Sequence, residues 1–261
     1  MNSHKEKIGV FDSGIGGFSI LSEIMGVIPF MEIDYISDDA FAPYGEKSDE
    51  KIIQRSELIT DILLERRCSL IVVACNSATA AAIESLRGKY SGIPFVGVEP
   101  YINVLNRNNQ IPLIRKAAVI TTALTGNSRK FRELKQRIDP EGSILHVIMP
   151  NLATIVEEIL NSGLNEILEA KLAAELHPLQ SMQLSHLILG CTHYPLIAGL
   201  IEKELKLTTV SAGPFVANRV KSLLSVSGNG TCSSFSFLST RSMLWEDKNS
   251  EYIDVLLRYS R

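Results

Sequence analysis

Two cysteines, Cys75 and Cys191, follow apolar segments of the same design. Each comes after a run of aliphatic residues that ends in a small residue, at 70–74 and 187–190, and two polar residues follow each cysteine. In open α/β sheets, ligands bind at the carboxyl ends of strands, where helix N-termini present backbone N–H groups. Because an apolar core would not accept the polar neighbours unpaired, a functional role is favoured over packing at these two positions.

Two thiols on opposite sides of one carbon atom could move a proton from one face of that atom to the other. A thiolate would remove an α-proton while a protonated thiol on the other side returns one, so the two groups must differ in protonation at any instant. A helix N-terminus and nearby donors are expected to lower the thiol pKa below about 8.5 and so to supply the thiolate. The predicted chemistry is therefore racemisation.

A glycine-rich segment at 11–17 follows the first predicted strand, and its glycines permit close backbone approach to a bound group. It is not a dinucleotide or phosphate loop, because a G-x-G-x-x-G frame that starts at Gly14 has Ser19 in its last position and no Gly-Lys-Ser/Thr follows. Asp12 could bind an ammonium group or hold a thiol, or it could cap the next helix. Both interpretations remain open.

Two other segments carry weaker signals. Tyr44 lies in a turn at 42–45, after the second predicted strand, and could line the same crevice. His193 lies two residues after Cys191 and could exchange protons with the thiol or orient it, although a lone histidine is more often structural. The polar neighbours of His193 favour the functional interpretation.

Short apolar runs alternate with segments of helical periodicity, which predicts an α/β fold with doubly wound parallel sheets. Ser48 is expected to cap a helix whose apolar face includes Ile52, Ile59 and Leu63. The predicted strands are 8–11, 33–36, 70–74, 94–98, 117–120, 145–148 and 186–189.

The alternating pattern pauses near residue 99, where a domain boundary is predicted, and a polar, turn-rich segment follows at 106–112. After 227–230 the chain is rich in serine, which predicts a loop or a weakly specified edge strand. Only residues 252–259 then show a helical pattern again.

The composition of the 261 residues, with 45% hydrophobic and 21% charged side chains, is that of a globular protein. A net charge of −3 without a basic cluster argues against a nucleic-acid partner. Neither a secretory signal nor a run of about 18 apolar residues is present, which predicts a cytoplasmic protein without a membrane contact. The four cysteines lack CxxC spacing, so we expect free thiols and no metal site, with Cys68 and Cys232 as buried core.

Four motifs, in this order, resemble those of glutamate racemases, in the aspartate/glutamate racemase superfamily. They are DSGIGG at 12–17, PYG at 43–45, ACNSAT at 74–79 and GCTHYPL at 190–196. The resemblance implies interconversion of L- and D-glutamate without a cofactor, which supplies D-glutamate for peptidoglycan. It also implies two flavodoxin-like domains related by a pseudo-two-fold axis, with the active site between them. Residues 1–98 plus 212–261 would form the first domain and 99–211 the second.

The resemblance also implies roles for individual residues. Cys75 and Cys191 match the acid/base pair, Asp12 matches the carboxylate that assists the first cysteine, and His193 matches the imidazole that assists the second. Glu157 matches a further acidic residue, with Glu158 as an equally plausible alignment. The positions that match substrate-holding residues are Asp12, Ser13, Tyr44, Gly45, Asn76, Ser77, Thr192 and His193.

Some features depart from the family pattern. The segment 122–128 resembles the corresponding family motif only loosely, and the tail beyond Gly228 is atypical. A related activity therefore stays open, such as racemisation of aspartate or of another small substrate, or decarboxylation on the same fold. A binding protein without activity is a further alternative. A homodimer is the default expectation for such enzymes.

Overall fold

Buried runs of aliphatic residues form the centres of two sheets in the computed structural model, which describes residues 6–28, 31–103, 116–224, 232 and 234–260. The strands are β1 (Lys7–Asp12), β2 (Glu32–Ser37), β3 (Leu70–Val73), β4 (Phe95–Gly97), β5 (Ala117–Thr121), β6 (Ile144–Ile148), β7 (His186–Gly190), β8 (Thr208–Val210), β9 (Ser234–Ser239) and β10 (Trp245–Asn249). The seven predicted strands are all present, within a residue or two at each end.

The two sheets share one strand order. The first runs β10-β9-β2-β1-β3-β4 and the second β6-β5-β7-β8, and all neighbouring strands are parallel except the antiparallel pair β9 and β10. In both sheets the first strand of the series lies between the second and the third, which is the flavodoxin-like order and creates a switch point beside the first strand. The prediction of two α/β units with parallel sheets is confirmed.

Helices cover the faces of these sheets. They are α1 (Phe18–Val27), α2 (Asp49–Glu65), α3 (Asn76–Lys89), α4 (Ala123–Asn127), α5 (Arg129–Ile138), α6 (Leu152–Ser162), α7 (Glu166–Gln180), α8 (Ala198–Leu205), α9 (Gly213–Leu223) and α10 (Ser250–Leu256). Among the described residues, none of them combines the length and apolar content that a membrane crossing requires.

Helix α2 shows how the pattern produces the packing. Ser48 occupies its N-cap position, and Ile52, Ile59 and Leu63 are fully buried along one face, as predicted. Leu63 lies so close to Gly9 in β1 that a Cβ atom there would be 2.9 Å from the leucine Cδ1 atom. The glycine in the central strand therefore lets this helix approach the sheet closely.

The C-terminal segment returns to the first sheet. Strand β9 pairs with β2, and β10 forms the outer edge. The serine-rich segment 234–239 is therefore neither of the predicted alternatives, a loop or an edge strand, because the charged strand β10 pairs with its outer side. Helix α9 packs against α1, and α10 begins two residues before the predicted helix and ends three residues earlier. The segments at 106–112 and 227–230 lie outside the described residues, and the division into domains stays a prediction.

The last described residues cross to the second half. Arg258 donates through Nη2 to the main-chain oxygen of Leu160 at 2.9 Å. Tyr259 accepts the N–H of Leu164 on its hydroxyl oxygen at 3.2 Å and the N–H of Gly199 on its main-chain oxygen at 3.1 Å. We call residues 258–260 the C-terminal strap, because they link α10, which lies on α1, to the helices of the second sheet.

Candidate active site

Cys75 lies at the junction between β3 and α3. It is the N-cap residue of α3, and its Sγ atom accepts the N–H of Ala78 at 3.5 Å. The thiol also lies 3.7 Å from the hydroxyl oxygen of Ser13, which follows β1. Because β1 and β3 are neighbours, their carboxyl ends bring the Ser13 hydroxyl group into contact with the Cys75 thiol, at the switch point of the first sheet.

Asp12, the last residue of β1, is completely buried and serves both of the roles that the sequence left open. One carboxylate oxygen accepts the N–H of Gly17, the N-cap residue of α1, at 2.5 Å. The carboxylate also hydrogen-bonds Cys75 and receives the hydroxyl group of Ser13 at 3.4 Å. Capping and contact with the thiol are thus two functions of one side chain.

The environment of Cys75 favours the protonated thiol. Burial raises the pKa of the Cys75 thiol well above its usual value, and the negative charge of Asp12 raises it further, whereas the N–H of Ala78 offsets only part of this effect. The expectation of a lowered thiol pKa is therefore wrong at Cys75, because desolvation outweighs the helix N-terminus. Burial also raises the pKa of Asp12, so that this carboxyl group can share a proton with the thiol.

Cys191 lies at the equivalent place in the second sheet, directly after β7. Its Sγ atom is 3.8 Å from Nδ1 of His193, and Nε2 of the same ring is 3.0 Å from Oε1 of Glu157 in α6. Glu158 points elsewhere and bonds Nζ of Lys171 at 2.7 Å. Of the two acidic residues that the alignment left open, Glu157 is the one in contact with His193.

The second side carries a positive charge beside the sulfur. Burial lowers the pKa of His193, but its hydrogen bonds to Cys191 and Glu157 raise it by more, so the value lies well above the usual 6.5. The bond to His193 lowers the pKa of Glu157 against the effect of burial, and Arg241 contributes in the same direction. An imidazolium next to Cys191 and a carboxyl group next to Cys75 make the two sides electrostatically opposite.

The two sides face each other across the carboxyl edges of the sheets. Ser77 in α3 lies 3.2 Å from the hydroxyl group of Thr122, the N-cap residue of α4. The two sides also affect each other electrostatically: His193 partly offsets the rise in the pKa of Asp12 that burial causes, and Cys191 adds to the rise in the pKa of Cys75. The structure thus brings the candidate residues of both halves into one region.

The glycine-rich segment forms part of the contact between the halves. A Cβ atom at Gly16 would lie 2.3 Å from Nδ1 of His193, and one at Gly14 would lie 3.0 Å from Oε1 of Glu157. The hydroxyl group of Tyr35 donates to the main-chain oxygen of Gly14 at 3.1 Å. The absence of side chains here lets this backbone lie directly against the histidine.

The predicted substrate-holding residues differ in which of their hydrogen-bonding groups remain available to a substrate. Tyr44 is buried, and its hydroxyl group donates to Asp38 at 2.6 Å, so only the backbone of the turn is available at this point. Gly45 lies opposite Thr122, and a Cβ atom there would be 3.6 Å from the threonine Cβ. Asn76 donates to the main-chain oxygen of Val98 at 3.2 Å, which leaves its amide oxygen as an acceptor.

A cavity of about 300 Å³ extends from partly exposed residues inward to the second cysteine. Asn76, Cys191 and Thr192 line its inner end. The cavity therefore reaches Cys191 from the side of α1 and α9, and Cys75 is not among its lining residues.

Several residues at this site were not identified as functional from the sequence. Thr122 and Thr125 contact Ser77, although the segment that contains them resembles the family motif only loosely. Thr122 follows β5, the counterpart of β1, and this equivalence of strand ends could have identified it. Arg241, at the turn after β9, had no signal, because only the return of the tail to the first sheet brings it near Glu157.

All four cysteines are free thiols, as expected. In the part of the chain that the structure describes, no group of three or more His, Cys, Asp or Glu side chains is arranged to hold a metal ion.

The family model for Asp/Glu/hydantoin racemases matches residues 29–220 of this sequence. The chain belongs to the Asp/Glu/hydantoin racemase family. A glutamate racemase from Aliarcobacter butzleri is 36% identical over 229 residues, which cover 85% of each chain.

Solved structures of the Asp/Glu/hydantoin racemase family agree with this assignment. Glutamate racemase isoform RacE1 from Bacillus anthracis is 31% identical with a TM-score of 0.77, and the match covers 91% of this chain and 90% of that one. Escherichia coli glutamate racemase, in complex with L-glutamate and the activator UDP-MurNAc-Ala, is 29% identical with a TM-score of 0.75 and coverages of 90% and 88%. As a family member, the chain is an amino-acid racemase.

Proposed function

We propose that this chain interconverts L- and D-glutamate by a two-cysteine proton transfer without a cofactor. The observation that carries the proposal is that Cys75 and Cys191 lie at equivalent strand ends of two facing sheets, with Asp12 beside Cys75 and His193 beside Cys191. Inversion of a carbon atom requires a deprotonated group on one side of it to remove a proton and a protonated group on the other side to return one.

In one direction, Cys191 acts as the base. Its thiolate takes the α-proton and forms an S–H bond, and the electron pair of the broken C–H bond stays on the α-carbon. The Cys75 thiol, kept protonated by burial, then gives its proton to the opposite face of that carbon. One proton leaves and one returns, so no oxidant or reductant is needed. In the other direction Asp12 first accepts the proton of the Cys75 thiol and His193 gives a proton to Cys191; the Cys75 thiolate then takes the α-proton, and the Cys191 thiol gives its proton to the opposite face.

The substrate-holding residues match this chemistry. Asn76, Ser77 and Thr192 are buried polar residues at the helix N-termini or loops beside the two cysteines. Amide, hydroxyl and backbone N–H groups at such positions bind carboxylates. We assign these residues, with Ser13 and the backbone of Tyr44–Gly45, to the carboxylate and amino groups of glutamate.

Glutamate is the proposed substrate because the relatives reported above are named glutamate racemases. Polarimetry with L-glutamate and L-aspartate side by side, in fresh reductant, tests this choice. Loss of rotation with glutamate alone is the expected result. Faster turnover of aspartate would replace the substrate, and no turnover of either would favour a binding protein.

The cellular assignments follow from this activity. D-Glutamate is a component of peptidoglycan, so we place the enzyme in cell-wall synthesis and in the cytoplasm. A homodimer is proposed as the assembly on the general preference of soluble enzymes for two-fold symmetry. Analytical ultracentrifugation decides between monomer and dimer.

Replacement of either cysteine tests the mechanism. Cys75→Ala and Cys191→Ala should each abolish racemisation, because each direction needs both a proton acceptor and a proton donor. Cys68→Ala is the matched control, since Cys68 is also buried but lies against Asp34. The control should keep its turnover, and turnover retained in both site variants would contradict the mechanism.

A further inference from the structure

We propose that Ser19 is a positioning residue that holds the loop of Cys191 against the first sheet, an inference that rests on the proposed function. The hydroxyl oxygen of Ser19 lies 2.8 Å from the main-chain oxygen of Thr192 and 2.9 Å from that of Gly16. The first contact joins residues 173 positions apart in the sequence. It leads from α1 to the residue between Cys191 and His193.

The hydroxyl group of Ser19 is a buried hydrogen-bond donor, and its loss would leave a buried carbonyl group without this donor. It has one proton to offer and two main-chain oxygen atoms within reach, one from each half. Ser19 and Thr192 are both almost fully buried. A buried carbonyl group that loses its donor is destabilised, so the loop that carries Cys191 should shift when this hydroxyl group is removed.

Ser19 is also linked to the site of the first cysteine, because only a few residues of the chain separate it from Asp12. Asp12, which contacts Cys75, accepts the N–H of Gly17, and Ser19 follows two residues later in the first turn of α1. Between them Gly16 lies against the ring of His193. Residues 12–19 therefore touch both cysteine sites, and Ser19 supplies the hydrogen bond that fixes one site relative to the other.

Loss of the Ser19 hydroxyl group should slow one of the two proton-transfer steps and not the other. A displacement of about 1 Å in a reacting group can lower a rate about 100-fold. Among the described residues, the Ser19 hydroxyl group bonds the loop of Cys191 and makes no hydrogen bond with the Cys75 loop, so the step at Cys191 should slow while the step at Cys75 keeps its rate.

The test is Ser19→Ala, assayed with α-deuterated and unlabelled glutamate in both directions. A slower step at Cys191 raises the substrate isotope effect on kcat in the direction in which Cys191 removes the α-proton. In the other direction Cys191 returns a solvent-derived proton, so the isotope effect should fall towards 1. Cys191→Ser identifies the first direction, because the enantiomer whose α-proton Cys191 removes should lose most of its exchange of that proton with solvent deuterium. In Ser19→Ala we expect kcat to be about tenfold lower.

Two further variants separate positioning from general stability. Ser56→Ala removes another buried helical hydroxyl group, one without a hydrogen-bond partner, and should keep wild-type isotope effects. Ser19→Thr retains the hydroxyl group and should restore the wild-type pair of values. If Ser19→Ala does not fold, Ser19→Cys takes its place, because a thiol is a weak donor of similar size. Isotope effects that stay at wild-type values, or that move together, would overturn the assignment.

A second measurement does not depend on glutamate turnover. The rate of alkylation of each cysteine by iodoacetamide, read by mass spectrometry, should change several-fold at Cys191 in Ser19→Ala and stay constant at Cys75. An unchanged rate at Cys191 refutes the role of Ser19, whether or not the wild-type chain racemises glutamate. Lack of wild-type turnover would instead count against the proposed function alone.

Discussion

At the scale of single residues, the two cysteines differ in what surrounds them although their positions in the two sheets are equivalent. Burial and Asp12 raise the pKa of Cys75, whereas Cys191 lies beside the imidazolium of His193. Cys75 is therefore kept as a thiol, and Cys191 lies next to a positive charge. Equivalent backbone positions thus provide opposite electrostatic environments.

The pair formed by Glu157 and His193 should stabilise the fold in a defined pH range. The lowered pKa of Glu157 gives stability that is complete above the unfolded value of 4.5 and is lost as the pH falls through the folded value. The raised pKa of His193 gives stability that is complete below 6.5 and is lost as the pH rises through the folded value. Glu157→Gln should therefore lower the free energy of unfolding most between pH 4.5 and 6.5.

Urea denaturation at several pH values measures this difference. Glu158→Gln is the matched control, since the neighbouring residue pairs with Lys171 on the surface, where an ion pair contributes about 0–1 kcal/mol. A difference between wild type and Glu157→Gln that does not vary with pH would contradict the ion pair.

At the scale of elements, the segment before α1 forms a direct contact between the two halves. Gly16 has no side chain, and its backbone lies directly against His193 and Thr192. The chain just before α1 therefore contacts the loop that carries Cys191 and His193 in the other half. The spacing of glycines in the motif is therefore needed for contact between the halves as well as for the turn.

Gly16→Ala should reduce racemisation about 100-fold, because its Cβ atom would lie 2.3 Å from Nδ1 of His193 and would displace the ring. Gly26→Ala is the control in α1, the helix that follows Gly16, because a Cβ atom at Gly26 has no neighbour within 4 Å. That variant should keep its activity and gain about 0.4–1 kcal/mol in stability. Polarimetry and thermal unfolding measure both effects, and full activity in Gly16→Ala would show that the ring does not need this space.

The central elements could be predicted from the sequence because their residues are apolar on both faces of a parallel sheet. Strand β3 is a continuous run of Leu, Ile and Val, and β7 is similar. Strands β9 and β10 could not be identified from the sequence, because the segment at 234–239 is half serine and most residues of β10 are charged or polar. Short polar strands carry too little hydrophobic signal to be distinguished from loops.

The parts of the candidate site that lie at strand ends could be predicted from the sequence. Cys75 and Cys191 follow predicted strands, so their neighbourhood followed from the topology of parallel sheets. The pKa of Cys75 was predicted in the wrong direction, because the sequence shows the helix N-terminus but not the depth of burial. Contacts such as that of Ser19 with Thr192 depend on the relative placement of two sheets, which no local spacing encodes.

At the scale of the whole molecule, the C-terminal strap defined by residues 258–260 joins the two halves beside the cavity that reaches Cys191, which Ser260 lines. Arg258 and Tyr259 bond main-chain groups of Leu160, Leu164 and Gly199 in the second half. Helix α10, just before the strap, packs on α1 of the first half. The strap therefore adds a second connection between the halves, through bonds other than the contact of Ser19 with Thr192.

Tyr259→Phe should lower the melting temperature by about 2–4 °C, because the N–H of Leu164 loses an acceptor worth about 1 kcal/mol in a chain of this size. Tyr90→Phe is the control, since its hydroxyl group bonds Asp61 at an exposed position. Differential scanning calorimetry measures both variants. An equal shift in the two would show that the strap contributes no more than a surface hydrogen bond.

The charged outer strand β10 bears on how two copies of the chain can associate. Three of its five residues, Glu246, Asp247 and Lys248, are charged. Charged edge strands discourage intermolecular strand pairing and aggregation. The six-stranded sheets of two subunits are therefore not expected to join through this edge into one continuous sheet, and a homodimer would have to bury other surfaces, such as helical faces.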